Sequence, residues 1–313
     1  NGKSRQDALY EILQEVQVKT GGVEAEYGGA MGGVISAITK SGGNDFHGEL
    51  HYYLSGNKLS AAPVKRLLLD PRDEKTVSFV QDDKFKNDMQ EIGGSLGGRL
   101  IKDKLFFFSA FSPRFQRESR DYLFSDNQNG SLGRDSNYWA MFHKLSWDPT
   151  RRVRTNFTYL WSPTTVDGTL LAYSLGPNQS TQTLQSASFN KSIGTFSPQS
   201  SYTGQVDITT SNTTLLTLRG GRFWDNYKTV GIPGTSSVEY GSSATNLPFA
   251  VPDALKQPQG YANTPRRLNT FHDLATRTYF QLDGSAYFRG LGSHNFKAGW
   301  GISKTVNNVL EAY

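Results

Sequence analysis

One property of this chain narrows its possible folds more than any other: apolar and polar side chains alternate with a period of two over long segments, again and again. Phe46, Gly48, Leu50, Tyr52 and Leu54 fall on one face, against His47, Glu49, His51, Tyr53 and Ser55 on the other. Ile92, Gly94, Leu96, Gly98 and Leu100 oppose Glu91, Gly93, Ser95, Gly97 and Arg99, and Phe296, Ala298, Trp300 and Ile302 oppose Asn295, Lys297, Gly299 and Gly301. A period of two belongs to the β-strand, and one apolar face against one polar face suits a strand between two unlike media. About nine such strands can be drawn, over 45–55, 88–101, 103–115, 135–148, 151–163, 197–209, 213–229, 270–288 and 293–310.

Several of these strands exceed ten residues, whereas strands of a soluble sandwich usually run about five or six. The connections alternate in length. Tight turns fall at 101–104, 148–151, 210–212 and 289–293, rich in Gly, Asp, Asn and Pro, and long polar loops at 56–87, 116–134, 164–196 and 230–269. Short turns at one rim and long loops at the other are the pattern of an outer-membrane barrel, the short side facing the periplasm. Trp139 and Trp147 lie on one face of one expected strand, roughly 20 Å apart along a tilted barrel axis, as two interfacial girdles would be. His143 and Arg222 interrupt the apolar face, which calls for either a register shift or levels outside hydrocarbon. Leu105–Phe108 is apolar on both faces, so its inner face is expected to touch whatever fills the barrel.

Composition excludes several classes. No apolar run is long enough for a transmembrane helix, and the mean hydropathy of −0.52 fits a barrel, which shows lipid only every second residue. With no cysteine there is no disulfide, thiolate nucleophile or cysteine metal site. The net charge of +5 is scattered, without a basic face or aromatic-basic motif, so no nucleic-acid partner is expected. His47 and His51 share a strand face but stand about 13 Å apart by strand rise, too far to share an ion. His272 and Asp273 have no evident serine partner, and the glycines of 93–98 precede no helix, so neither a hydrolase triad nor a nucleotide fingerprint is read. Asp70, Asp73, Glu74, Asp82 and Asp83 lack calcium-loop spacing and read as a solvated loop. No enzyme activity, cofactor or metal is expected.

The stretch Val23–Leu54 sets a glycine-dense turn, an apolar run, a Ser-Gly-Gly linker and the first alternating strand in succession. Ahead of it, Asp7–Glu15 has helical spacing through Leu9, Ile12 and Leu13, and Val16, Val18 and Thr20 alternate as a strand. Tyr27, Gly28, Gly32, Gly33, Val34, Ile35, Thr39 and Lys40, with the following Ser41–Gly48, resemble the end of the plug and start of the barrel in TonB-dependent outer-membrane transporters of the Oar-like branch. Gly93–Phe108, with its Lys102-Asp103-Lys104 turn and run of Phe, resembles the second and third barrel strands of the same branch, Arg99 standing where Pro is common.

The resemblance implies a mainly β protein: a transmembrane antiparallel β-barrel over 44–313, about nine strands of an expected larger barrel of about twenty-two, with the C-terminal part of a small α/β plug domain over 1–43. The chain then reads as a piece of a longer protein, whose TonB box and plug start would lie upstream. The resemblance also implies active uptake at the bacterial outer membrane, energised by TonB with ExbB and ExbD, by a barrel monomeric when complete and set in lipid and lipopolysaccharide. The ligand, a small molecule, peptide or glycan, is not legible. Glu24, Glu26, Tyr27, Gly28, Gly32, Gly33 and Lys40 form the plug motif with a structural or gating role. Arg99, Arg152, Arg154, Asp207, Asp283 and Lys297 are the candidate lumen-facing residues. Glu24 and Glu26 are candidate partners of Arg152 or Arg154, and an exposed turn accounts for them equally well. A structural or adhesive barrel, or a passive pore, is the alternative function. A soluble carbohydrate-binding β protein is a third.

Overall fold

Long alternating segments gain most when each pairs with its sequence neighbour, because antiparallel hairpins satisfy the backbone and keep both faces uniform. The computed structural model describes residues 10–21, 33–70, 75–81, 84–124, 127–170, 193–231, 239–240, 261–262 and 269–312. One turn of 3₁₀ helix, Tyr10–Ile12, leads into β1 (Leu13–Lys19), which pairs antiparallel with β2 (Val34–Thr39). Next come β3 (His47–Ser55) and a separate small hairpin of β4 (Arg66–Leu69) and β5 (Val77–Val80). The sheet continues with β6 (Lys86–Ile101), β7 (Leu105–Phe111), β8 (Arg114–Leu123), β9 (Asn129–Tyr138), β10 (Met141–Thr150) and β11 (Val153–Trp161). Then follow β12 (Thr164–Asp167), β13 (Gly194–Ser197), β14 (Gln199–Ser211) and β15 (Thr214–Val230). Two short strands, β16 (Glu239–Tyr240) and β17 (Tyr261–Ala262), pair with each other, and β18 (Asn269–Arg289) and β19 (Ser293–Ala312) end the sheet.

Nine wall strands result, as the alternation predicts, because β7 and β8, β9 and β10, β11 and β12, and β13 and β14 are each halves of one strand. Glu91 pairs with Arg114 and Gly94 with Phe111; Tyr138 pairs with Thr164 and Met141 with Trp161; Thr164 pairs with Ser197 and Trp161 with Ser200. Register therefore runs unbroken past each interruption, and Trp139 stays on the face of Trp147. The interruptions fall at one height. Ile92, Pro113, Trp139, Pro163 and Pro198 stand in one row across the sheet, and each proline lacks the N–H that a continuous ladder requires. Backbone bonds still cross there: Ser112 N–H donates to Ala140 O at 2.9 Å, Trp139 N–H to Pro163 O at 3.0 Å and Ser162 N–H to Gln199 O at 3.0 Å.

Large apolar side chains line one face of this wall and stay open. Leu50, Leu96, Leu145, Phe157, Tyr202, Phe280 and Trp300, from seven different strands, are all exposed, Leu50 by 90%. Soluble monomers seldom expose apolar patches beyond a few hundred Å², so this face belongs in lipid and the soluble carbohydrate-binding alternative fails. Phe111 and Phe115 pack on Trp139, with ring centroids 6.1 and 5.7 Å away, an aromatic group beside the proline row. Among the described residues the sheet is open, with β3 and β19 each paired to a strand on one side only.

Four expectations need correction. The region 116–134 is no loop: β8 and β9 continue the wall as a hairpin, tied by ion pairs Arg117–Asp135 at 2.9 Å and Arg134–Glu118, and closed over a small core of Tyr122, Phe124 and Leu132. The hydrogen bond to Asp135, then its charge, raise the Arg117 pKa above its ordinary value. The loop over 56–87 carries β4–β5 and the first turns of β6, and 164–196 carries β12 and part of β13. The Asp7–Glu15 helix is absent from its described part, where strand pairing of Leu13 with Thr39 overrides helical spacing. Neither His143 nor Arg222 marks a register shift. Both ladders run straight through, and the His143 ring bonds Ser109 Oγ at 3.0 Å on the outward face.

Candidate functional site

The inner face of the wall is defined by the N-terminal hairpin β1–β2 resting on it. Residues of β3, β6, β7 and β10 that point inward are His47, Glu49, His51, Glu91, Gly93, Gly97, Phe108, Ala110, Phe142 and Lys144, as their pairings require. Ile12, 5% exposed, packs against Phe108, Ala110 and Phe142, with Leu13 and Leu160 at the edge. This contact explains why the strand around Leu105–Phe108 is apolar on both faces. One face meets lipid and the other meets the hairpin.

Around that apolar contact sit polar pins. The Lys144 ammonium donates to Thr39 O and Thr39 Oγ1, both at 3.1 Å. Lys40 Nζ stands 3.3 Å from Glu49 Oε2, and Lys40 N–H donates to Ile12 O at 2.7 Å. Asn44 closes the join from below: its amide donates to Asp103 Oδ1 at 2.6 Å, and Asp103 N–H donates back to Asn44 Oδ1 at 2.9 Å. Asp103 takes a φ of 61° in the Lys-Asp-Lys turn, a conformation that Asp tolerates better than most residues.

The linker passes hard against the wall. A Cβ at Gly42 would lie 2.1 Å from Phe107 O and 2.7 Å from Gly98 O, both backbone atoms that cannot swing aside. Gly33, at φ 136°, holds the start of β2, where a Cβ would meet Lys19 O at 2.8 Å. Gly97 makes room for the His47 ring, and Gly93 for the His51 ring. The glycines of the β6 motif therefore serve side chains arriving from β3 rather than a bound phosphate.

A further group gathers where the hairpin meets β3 and β6. Ligand-type atoms of Glu11, His51 and Glu91 lie within 4.8 Å of one another. His51 Nε2 is 3.7 Å from Glu91 Oε1 and 3.0 Å from Ser112 Oγ, while Ser112 Oγ–H donates to Glu91 Oε1 at 2.9 Å. No sequence spacing marks this group, since its members come from three strands and a 3₁₀ turn.

Of the residues named for the plug motif, Gly33 stands just before β2 and Lys40 directly follows it. Glu24, Glu26, Tyr27, Gly28 and Gly32 lie outside the described residues. Among the lumen-facing candidates, Arg99 is exposed on the inward face opposite Phe106. Arg152 sits in the two-residue turn before β11 rather than in a strand, and Arg154 pairs with Asp148 at 3.3 Å. Both line a concavity of about 680 Å³ beside the short turns, with Lys104, Asp148 and Asp207. Asp207 accepts from Thr217 Oγ1 at 2.7 Å and Gln205 Nε2 at 2.8 Å. Asp283, 6% exposed, accepts from Arg219 at 2.9 Å and from Gln281 Nε2 at 3.0 Å. Lys297 is exposed and faces inward opposite Ser285. Of the residues weighed for a triad and for calcium, the His272 ring bonds Asn308 at 3.2 Å and Asp70 donates its N–H to Thr76 O at 2.8 Å, while Asp73, Glu74, Asp82 and Asp83 lie outside the described residues.

A lipid-facing antiparallel wall with tight turns at one rim and extended hairpins at the other defines a bacterial outer-membrane β-barrel protein. The comparison with protein families agrees: residues 38–246, more than half of the chain, match the family described as "Outer membrane beta barrel domain", and the chain belongs to it. Over 107 residues, 34% of the chain, it is 39% identical to the TonB-dependent transporter Oar of Myxococcus xanthus. That match spans 9% of the relative's own length.

Proposed function

We infer that the chain is part of a TonB-dependent transporter of the Oar-like branch, in which β1–β2 belongs to the plug and the wall from β3 to β19 to the barrel that the plug gates. The observation that carries this reading is the seam. A small apolar contact through Ile12 and a few polar pins hold the hairpin to the wall, without strand pairing between the two among the described residues. An attachment of that kind has a defined closed state and can be released without unfolding the barrel, as a gate requires. Similarity to a protein named as a TonB-dependent transporter supports the same reading.

In this account TonB, energised through ExbB and ExbD, draws on the segment before the hairpin. Pulling separates Ile12 from Phe108 and Phe142 and breaks the Lys144–Thr39 and Lys40–Glu49 contacts, which opens a path along the inner wall. The chain makes and breaks no covalent bonds of its ligand. Recognition of a small molecule, peptide or glycan falls to the long-loop side, and lipid and lipopolysaccharide surround the outer face.

Ile12→Cys in a cysteine-free version of the full-length protein gives a reporter buried at the seam. In growing cells a small maleimide should label it in a strain with TonB and leave it largely unlabelled in one without. Equal labelling in both strains would overturn energised gating and favour a passive or adhesive barrel.

A further inference from the structure

We propose that Glu11, His51 and Glu91 form a binding site for a divalent transition-metal cation of the Zn²⁺ type, one that clamps the N-terminal hairpin to the barrel wall. The donor set is one imidazole nitrogen and two carboxylates, all within 4.8 Å of one another. Tetrahedral Zn²⁺ with bonds of about 2.0–2.2 Å needs ligand atoms roughly 3.4 Å apart. The 3.7 Å between His51 Nε2 and Glu91 Oε1 is already close to that, and the remaining approach is a side-chain adjustment of Glu11.

Three observations point to a ligand rather than to a chance cluster. The side chains of His51 and Glu91 are only 8% and 16% exposed, and His51 turns Nε2 toward both Glu91 and Ser112. Two carboxylates crowd this space beside one imidazole, where burying like charges together is costly and a cation would offset it. Space has also been kept: a Cβ at Gly93 would stand 2.5 Å from His51 Nε2 and 2.7 Å from Ser112 Oγ, so any larger residue fills the cradle.

The chemistry selects the class of cation. An imidazole with two carboxylates suits zinc and its neighbours, whereas Ca²⁺ seeks six to eight oxygens and Mg²⁺ keeps most of its water. Ser112, placed inward beside Pro113 in the proline row, donates to Glu91 and orients it, as outer partners of metal ligands do. Because Glu11 precedes β1 while His51 and Glu91 belong to the wall, metal would bridge exactly the two parts that the polar pins join. The site rests on these residues alone and does not depend on the transport reading.

The test uses the full-length protein in detergent, stripped with a chelator and titrated with ZnCl₂ by calorimetry, with Co²⁺ as a spectroscopic probe. One equivalent should bind, with visible Co²⁺ bands of a nitrogen-oxygen site. His51→Ala and Glu91→Gln should each weaken binding at least tenfold, Ser112→Ala about tenfold, and heat-modifiable gel migration checks that each barrel has folded. Glu11→Gln lies outside the wall ladders and keeps the test decisive if a wall variant fails to fold. Absence of stoichiometric binding, or affinity unchanged by Glu11→Gln, overturns the proposal.

Discussion

The two halves of the inner wall differ in how they satisfy their polar groups. From β13 to β19 the wall largely completes itself: Asp283 takes Arg219 and Gln281, Asp207 takes Thr217 and Gln205, and Ser197 Oγ–H donates to Asp225 at 2.7 Å. From β3 to β10 it reaches outward to another element. Phe108 and Phe142 cover Ile12, Lys144 binds Thr39, Glu49 meets Lys40, and glycines make room for rings and for the linker. The contrast separates a stretch of wall whose polar groups pair mostly within the wall from a stretch that turns them to β1–β2 and the linker.

Substitutions can break that contrast. Gly42→Val should have the largest effect. Its side chain would drive into two backbone oxygens, costing about 4 kcal/mol and detaching the hairpin or the first strand, read as a lower midpoint in urea or a lower temperature of heat-modifiable migration. Ile12→Ala should cost about 3 kcal/mol of hairpin docking by leaving a cavity between Phe108 and Phe142, seen as faster hydrogen exchange in 34–39 with the wall unchanged. On the finished side, Arg219→Leu should cost about 2 kcal/mol by leaving Asp283 without its cation. That loss should fall on the wall and leave exchange at 34–39 unaltered, and pairing it with Asp283→Leu should restore most of it. Lys40→Gln should change stability least, by about 0.5 kcal/mol, because the pair is solvent-screened, with 35% of the Lys40 and 58% of the Glu49 side chain in water.

What could be read from residue order follows the physics of the two media. The nine strands were legible because lipid on one side and water on the other force alternation, as in Ile92–Leu100 and Phe280–Phe288. Above the proline row both faces meet water, so β8 and β9 lose the alternation. Their sequence signal is cross-strand charge, Arg117 with Asp135 and Glu118 with Arg134, which only a pairing register reveals. The helical spacing of Leu9, Ile12 and Leu13 misled because Leu13 answers to its partner in β2. At the join, the glycines and the Lys-Asp-Lys turn stood out in the sequence. The partners that give them meaning, Phe107 O for Gly42 and Asn44 for Asp103, lie about sixty residues away and emerge only from the fold.

Zero-length carbodiimide coupling of the native protein in membranes tests the seating of the hairpin on the inner wall most directly. The 3.3 Å approach of Lys40 Nζ to Glu49 Oε2 predicts an amide joining the two peptides in a mass-spectrometric digest, lost in Glu49→Gln. Failure to find that bond, or coupling of Lys40 to carboxylates of β14–β19 instead, would contradict the account.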